Sequence, residues 1–291
     1  MKVLTDTNLS MQDKKILKDF ATQIRRDILR MVHQNNSGHP GGALGAADFL
    51  TKLYSDFMSF DPKHFTIDGK GEDLFFLSNG HLSALWYSVL ARKGYFPVSE
   101  LKTFRALNSR LQGHPTTAEN LPGIRIASGS LGQGLSVAIG AALTKKMNGD
   151  NKLVYVLMGD GELQEGNIWE AAMYAAHNKV DNIIAVLDYN GQQIDGPVDT
   201  VLSLGNLRNK WEAFGWETLE MDGHDFDDLH KTMQKAVENT KRNKPIVILM
   251  HSVMGKGVDF MENNHGWHGK APSDEELKEA LEQLPETLGD Y

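Results

Sequence analysis

The chain of 291 residues is 41% hydrophobic and 23% charged, which is typical of a globular protein that buries a large core. Its 38 acidic and 30 basic residues give a net charge of −8 and form no dense basic stripe, which argues against nucleic-acid binding. The absence of cysteine excludes disulfides, thiolate metal sites and cysteine nucleophiles.

Signal peptides and membrane spans both require long apolar runs. The first residues of this sequence, MKVLTDTNLSMQDKK, lack the apolar core of a signal peptide, and no apolar run approaches the roughly 20 residues of a membrane span. We therefore expect no membrane association and a cytoplasmic location.

The first half of the sequence is predicted to contain helices joined by glycine- and proline-rich loops. Apolar periodicity and loop-forming residues predict helices over 10–34, 43–58 and 82–93, a strand over 74–78, and loops over 35–42 and 106–127.

Strands and helices alternate in the second half of the sequence. Strands are predicted over 152–158, 182–189 and 245–253, and helices over 128–147 after a glycine-rich start, 162–178, 225–240 and 273–284. The last helix begins with a Ser-x-x-Glu capping box. The strands are apolar without polar alternation, which is typical of a parallel sheet flanked by helices on both faces. No repeat or linker divides the sequence, so we predict one α/β domain over 1–291, with an N-terminal helix and a C-terminal helical tail.

Two polar residues follow neighbouring predicted strands. Asp160 comes directly after one strand and Asn190 directly after the next, and ligands of parallel sheets lie at the carboxyl ends of the strands. Gly159 and Gly161 allow a tight turn, and the helix predicted to begin near Glu162 offers free N–H groups to an anion. One carboxylate and one carboxamide are too little to hold a hard divalent cation alone, whereas Mg²⁺ completes its shell with phosphate oxygens and water. The pattern therefore predicts a metal shared with a diphosphate.

Each half of this pattern also has an ordinary structural interpretation. A GDG tripeptide is a common turn after a strand, and Asn190–Gly191 is a favoured hairpin turn. The separation of Asp160 and Asn190 spans a complete strand–helix–strand unit, and this spacing favours the joint functional interpretation.

The segment from Gly159 to Asn190 resembles the thiamine diphosphate fingerprint, in which GDG is followed about thirty residues later by Asn. Its pattern GDGELQEGNIWEA, together with NSGHPGG, LSNGH, GHP, SGSLGQG and WHGKAP in this order, is similar to transketolase. The resemblance covers nearly the whole chain but only the N-terminal, diphosphate-binding half of a usual transketolase. It implies the thiamine diphosphate-binding α/β fold. The sequence departs from the family at Ser130, where many transketolases have Pro, and at YNGQQIDG, which replaces DNxxxIDG.

The resemblance implies a role for each matching residue. The metal, Mg²⁺ with Ca²⁺ or Mn²⁺ as substitutes, would be bound by Asp160, Asn190 and the backbone carbonyl of Gln192. Thiamine diphosphate would be contacted at its diphosphate by Gly161, His81 and His268, and along the pocket by Gly129, Ser130, Leu131 and Ile194. Glu165 resembles the glutamate of the family's subunit-contact network beside the cofactor. The sugar hydroxyls would be met by the catalytic histidines His39, His114 and His268.

The implied reaction moves a two-carbon ketol unit from a ketose phosphate to an aldose phosphate, as in the pentose phosphate pathway. Such enzymes protonate the cofactor aminopyrimidine with a glutamate of a further domain, and no carboxylate of this chain matches that motif. We therefore predict the N-terminal subunit of a split transketolase. It would be active only with a C-terminal subunit that carries the pyrimidine-binding domain, in an α2β2 heterotetramer.

Three alternatives stay open from the sequence. Another thiamine enzyme half, such as a deoxyxylulose-phosphate synthase, a 2-oxo acid dehydrogenase subunit or a sulfo-sugar transketolase, would keep GDG and Asn, although LQEG–WEA and the paired GHP loops favour transketolase. A non-catalytic cofactor-binding module would need neither His39 nor His114. A dinucleotide-binding Rossmann protein is disfavoured because GSLGQG has the order GxxGxG and not GxGxxG.

Overall fold

The computed structural model describes residues 9–291, so the N-terminal sequence MKVLTDTN and that part of the predicted domain lie outside the described residues. The strands are β1 (Leu74–Leu77), β2 (Val154–Gly159), β3 (Ile183–Tyr189), β4 (Gln192–Gln193), β5 (Gly196–Pro197), β6 (Glu217–Asp222) and β7 (Ile246–His251). The α-helices are α1 (Met11–Gln34), α2 (Pro40–Gly45), α3 (Ala47–Lys52), α4 (Ser83–Arg92), α5 (Gly134–Met147), α6 (Gly166–His177), α7 (Val198–Leu202), α8 (Leu207–Ala213), α9 (Phe226–Asn239) and α10 (Asp274–Gln283).

Five parallel strands form the central sheet in the order β1-β2-β3-β7-β6. The residues of β2 and β3 are buried almost without exception, as expected for strands covered by helices on both faces. Gly159 at the end of β2 pairs with Asp188 near the end of β3, so the loops after these two strands begin side by side. The predicted α/β fold with a helix-flanked parallel sheet is confirmed.

Capping signals in the sequence match the starts of both terminal helices. Ser10 precedes α1, and its hydroxyl oxygen accepts a hydrogen bond from the backbone N–H of Asp13 at 3.1 Å. At the start of α10, Ser273 and Glu276 form a complete capping box. The predicted helices over 10–34 and 273–284 are therefore confirmed within one or two residues. No helix within residues 9–291 is long and apolar enough to cross a membrane.

The prediction of a single helix over 43–58 is wrong. The chain there forms α2, α3 and a π-helical turn over Leu53–Phe57. Pro40 occupies the first position of α2, where its fixed φ suits a helix start and its missing N–H costs nothing, so the helix begins earlier than predicted. The glycines of PGGALG weaken a continuous helix, and α2 ends after six residues.

Three further parts of the fold differ from the prediction. The helix predicted over 162–178 begins at Gly166, after a 3₁₀ turn over Gly161–Gln164. Edge strand β6 was not predicted, because its alternating burial leaves polar side chains such as Glu220 on the exposed side and hides the apolar run of a buried strand. The antiparallel pair β4–β5 is too short to give a sequence signal, yet it shapes the loop after β3.

Candidate active site

A cavity of about 360 Å³ opens at the carboxyl ends of β2 and β3. Its wall includes all but one of the predicted site residues, namely His39, His81, His114, Gly129, Leu131, Asp160, Gly161, Glu165, Asn190, Gln192, Ile194 and His268. Ser130 instead lines a neighbouring depression together with Ser128 and Gln133. The fold thus brings together residues from loops that lie far apart in the sequence.

Four histidines form a cluster in this cavity. The ring centroid of His39 lies 5.3 Å from that of His81, 5.7 Å from that of His268 and 6.1 Å from that of His114. The ring centroids of His81 and His268 are 5.0 Å apart. His39 therefore lies at the centre of the cluster.

Burial keeps these imidazoles neutral near pH 7. Together with the nearby His268, Arg105 and His114, it lowers the pKa of His39 to about 4. Burial is also the main cause of the lowered pKa values of His81, His114 and His268. A neutral imidazole has one N–H donor and one acceptor nitrogen, so the cluster can bind hydroxyl and carbonyl groups of a polar ligand.

Arg105 supports the histidine cluster, although no sequence signal identified it. Its Nη1 donates to Ser37 Oγ at 2.8 Å, and its Nη2 donates to the carbonyl oxygen of Gly113 at 3.3 Å. The same Nη2 lies 3.5 Å from Nδ1 of His39. Because a guanidinium has only donors, it favours the His39 tautomer in which Nδ1 accepts and Nε2 carries the proton.

Asp160 and Asn190 are oriented by the backbone of their own loops. Oδ1 of Asp160 accepts from the N–H of Gly161 at 2.8 Å, and its Oδ2 accepts from the N–H of Gly191 on the neighbouring loop. Oδ1 of Asn190 accepts from the N–H of Gln192 at 2.9 Å. The two side chains predicted as metal ligands therefore belong to one hydrogen-bonded unit at the ends of β2 and β3.

A third side chain, Asp188, belongs to this unit and was not predicted. It is fully buried, and its carboxylate accepts from Asn190 Nδ2 at 3.0 Å and from the hydroxyl of Ser252. Burial raises the pKa of Asp188 to about 6, and burial together with the charge of Asp188 raises the pKa of Asp160 to about 7. A lone polar residue inside the apolar run IIAVLDY was the available signal. A cation at this place would offset the repulsion between the two carboxylates.

The oxygen atoms of this unit suit a hard cation that also binds another ligand. Within residues 9–291, no group of three or more His, Asp or Glu side chains is arranged to hold a metal ion by itself. The carboxylate of Asp188 already accepts from Asn190 and Ser252, so the unit offers the carboxylate of Asp160, the carboxamide of Asn190 and the nearby backbone of Gln192. Mg²⁺ with few protein ligands characteristically shares its shell with phosphate oxygens. The residues therefore fit the predicted metal and diphosphate together.

The rest of the cavity wall fits an extended cofactor. Gly129 has φ +127°, and a Cβ there would lie 2.9 Å from Cδ2 of His114, so only glycine allows this close packing of the turn against the histidine cluster. The buried side-chain oxygens of Asn79, Gln192 and Gln193 lie in the cavity wall without a hydrogen-bond partner among residues 9–291. Leu131 and Ile194 add apolar surface and are 37% and 61% exposed.

The segment after Asp160 differs from the expected anion site. The sequence predicts a helix N-terminus near Glu162, but α6 begins at Gly166, so the N–H groups next to the predicted metal ligands belong to the 3₁₀ turn over Gly161–Gln164. Glu165 precedes α6 and is exposed at the cavity wall. Glu162, by contrast, is buried, and no sequence signal assigned it a role beyond marking a helix start.

Comparison with known proteins identifies the family of this chain. Residues 16–286 match the family described as transketolase, thiamine diphosphate binding domain. An apulose-4-phosphate transketolase subunit of Phocaeicola vulgatus is 38% identical over 91% of this chain and 92% of its own length. The 6-deoxy-6-sulfo-D-fructose transketolase subunit of a Clostridium species is also 38% identical, over 94% of this chain and 98% of its own length.

Solved structures show the same relationship. The transketolase of Campylobacter jejuni matches with a TM-score of 0.86 and 37% identity, over 95% of this chain and 43% of that chain. The transketolase of Leishmania mexicana matches with a TM-score of 0.85 and 28% identity, over 92% of this chain and 41% of that chain. This chain thus spans less than half the length of these two enzymes. The chain therefore belongs to the transketolase family, and it matches that family's thiamine diphosphate-binding domain.

Proposed function

We propose that this chain is the N-terminal subunit of a two-component transketolase that binds thiamine diphosphate and Mg²⁺. With a C-terminal subunit it would transfer a two-carbon ketol unit from a ketose phosphate to an aldose phosphate. The observation that carries the proposal is that the neutral histidine cluster and the Asp160–Asn190 unit line one cavity. A cofactor anchored at Asp160 and Asn190 would present its reactive end to a polar sugar held by the histidines.

The residues of this chain have separable roles in the proposed reaction. Thiamine diphosphate supplies the carbanion and the electron sink when bound, and the protein supplies binding and orientation. Asp160, Asn190 and the Gln192 carbonyl would hold the metal. Neutral His39 and His114 would donate and accept hydrogen bonds at the sugar hydroxyls and exchange protons with them.

The proposed assembly with a C-terminal subunit is an α2β2 heterotetramer. Exposed apolar side chains support an extensive partner surface, since Met173 and Tyr174 of α6 are 58% and 53% exposed and Val137 of α5 is 43% exposed. Leu131 and Ile194, which line the cavity, are also exposed apolar residues. Relatives of similar length that are themselves named as transketolase subunits support the presence of a partner subunit.

The proposed donor is a ketose with an acidic group at the end remote from its carbonyl. Relatives named for a sugar phosphate and for a sulfo-sugar are equally similar to this chain, at 38% identity. The histidine cluster provides hydrogen bonds but no fixed positive charge for a phosphate or sulfonate, since its imidazoles are neutral. The neighbouring cation Arg105 donates to Ser37 and Gly113 and is not part of the cavity wall. We therefore assign the binding of the acidic group mainly to the C-terminal subunit.

We further propose that residues 1–291 form one domain of a cytoplasmic protein. A contiguous cluster of buried residues reaches from Ile24 in α1 to Leu284 after α10, which supports a single domain. The absence of cysteine agrees with a reducing compartment.

An assay of ketol transfer tests the proposed function. The purified chain with thiamine diphosphate, Mg²⁺, a ketose phosphate and an aldose phosphate should form no product. Addition of the separately expressed C-terminal subunit should restore transfer. Transfer by the chain alone would contradict the two-component proposal, and failure of both reactions despite cofactor binding would contradict the proposed reaction.

A further inference from the structure

Glu162 is a buried carboxylate that receives hydrogen bonds from three separate segments. It is 2% exposed and lies two residues after Asp160. Its Oε1 accepts from the hydroxyl of Ser78, directly after β1, and from the N–H of Gly132 at 2.8 Å. Its Oε2 accepts from the N–H of Gly159 at the end of β2, at 3.2 Å.

The segment that contains Gly132 also forms part of the cavity wall. Gly129 and Leu131 line the cavity, and Gly132 follows them with φ +87°. A Cβ at Gly132 would lie 2.8 Å from Cβ of Glu165, so the turn approaches the 159–166 segment closely. The hydrogen bond from Gly132 to Glu162 therefore joins this turn to the loop that carries the predicted metal ligand Asp160.

We propose that Glu162 is a positioning residue that fixes the 129–132 turn against the ends of β1 and β2, and so sets the shape of the cofactor cavity. The side chain is not free to act as a ligand itself, because its oxygens already accept from Ser78, Gly132 and Gly159. Its effect on the cofactor passes through the backbone of the turn. This inference rests on the proposed cofactor site, and its test separates the two.

Two variants and one control test the role of Glu162. Glu162→Gln keeps the size of the side chain but leaves one acceptor oxygen in place of two, so three donors cannot all be satisfied. Ser78→Ala removes one donor and keeps the carboxylate, which provides a milder variant if Glu162→Gln folds poorly. Glu279→Gln on α10 makes the same chemical change at an exposed position and serves as the matched control.

The measurements are amide hydrogen exchange over residues 128–134 and calorimetric affinity for thiamine diphosphate with Mg²⁺. Since hydrogen bonds to charged groups are among the stronger ones, we expect Glu162→Gln to weaken cofactor affinity about tenfold or more and to speed exchange in the turn. Ser78→Ala should change both in the same direction by less, and Glu279→Gln should match the wild type.

The outcomes distinguish this inference from the proposed function. Wild-type affinity in both Glu162→Gln and Ser78→Ala would overturn the positioning role, even if the turn exchanges faster. If neither the wild-type chain nor its complex with the C-terminal subunit binds the cofactor, the proposed function fails. Unchanged exchange in the two variants would separately overturn the structural link.

Discussion

The side-chain amide of Asn190 donates to the carboxylate of Asp188 at 3.0 Å. The oxygen of the same carboxamide, Oδ1, accepts from the N–H of Gln192 at 2.9 Å. The hydrogen bonds to Asp188 and Gln192 therefore fix the carboxamide of Asn190 in one orientation. Asp188 thereby holds Asn190 with its oxygen on the side away from the carboxylate, as a metal ligand requires. Mutation of a group that orients a metal ligand in this way typically weakens metal affinity by roughly 10–100-fold.

Asp188→Asn should weaken the metal-dependent affinity for thiamine diphosphate by about tenfold or more, because one acceptor oxygen would remain for two donors, Nδ2 of Asn190 and the hydroxyl of Ser252. The exposed Asp68→Asn is the matched control and should leave the affinity unchanged. Calorimetric titration of both variants with Mg²⁺ present checks the prediction. Equal affinity in Asp188→Asn and wild type would show that Asn190 needs no such support.

His39→Ala and His114→Ala should reduce ketol transfer by the assembled enzyme by about 100-fold or more, because hydrogen bonding and proton exchange at the sugar would be lost. Cofactor affinity should fall much less than activity, since neither residue is a predicted ligand of the metal or of the diphosphate. The exposed His177→Ala on α6 is the control. Full activity in both variants would favour a non-catalytic cofactor-binding module.

The lowered pKa of His39 predicts a specific dependence of stability on pH. Its folded-state pKa is about 4, below the ordinary histidine value of 6.5, so the unfolded chain binds more protons between these values. The free energy of unfolding should therefore fall as pH decreases from 6.5 toward 4, with a contribution of about 1–2 kcal/mol from this partly exposed group. Urea unfolding of wild type and His39→Asn at pH 6.5 and pH 4.5 checks this. Parallel pH dependence of the two proteins would contradict it.

Local patterns predicted the parts of the fold in which one signal dominates. The apolar strands β2 and β3 and the capped helices α1 and α10 are of this kind. The split of the helix predicted over 43–58 follows from Pro40 and the glycines of PGGALG, and edge strand β6 alternates buried and exposed residues, so in neither segment does one periodic signal dominate.

The same distinction holds for the site. Asp160 and Asn190 could be predicted because strand ends of a parallel sheet converge. His39, His81, His114 and His268 came together only through the family resemblance, since their loops carry no mutual signal. Arg105 and Glu162 form hydrogen bonds to side chains or backbone from distant segments, so only the three-dimensional structure identifies them. Asp188 carries one sequence signal, its position as a polar residue inside the apolar run IIAVLDY, but its hydrogen bond to Asn190 is visible only in the structure.

Asp160 and Asn190 are proposed to anchor a metal-bound cofactor diphosphate, and calorimetric titration of thiamine diphosphate tests this role most directly. Wild type should bind in the presence of Mg²⁺ and lose affinity when the metal is removed with a chelator. Asp160→Ala should show no measurable metal-dependent binding, while its circular dichroism spectrum and melting temperature show that the fold is intact, and Asp68→Ala should behave as wild type. Unchanged cofactor affinity in a folded Asp160→Ala protein would contradict the anchoring role.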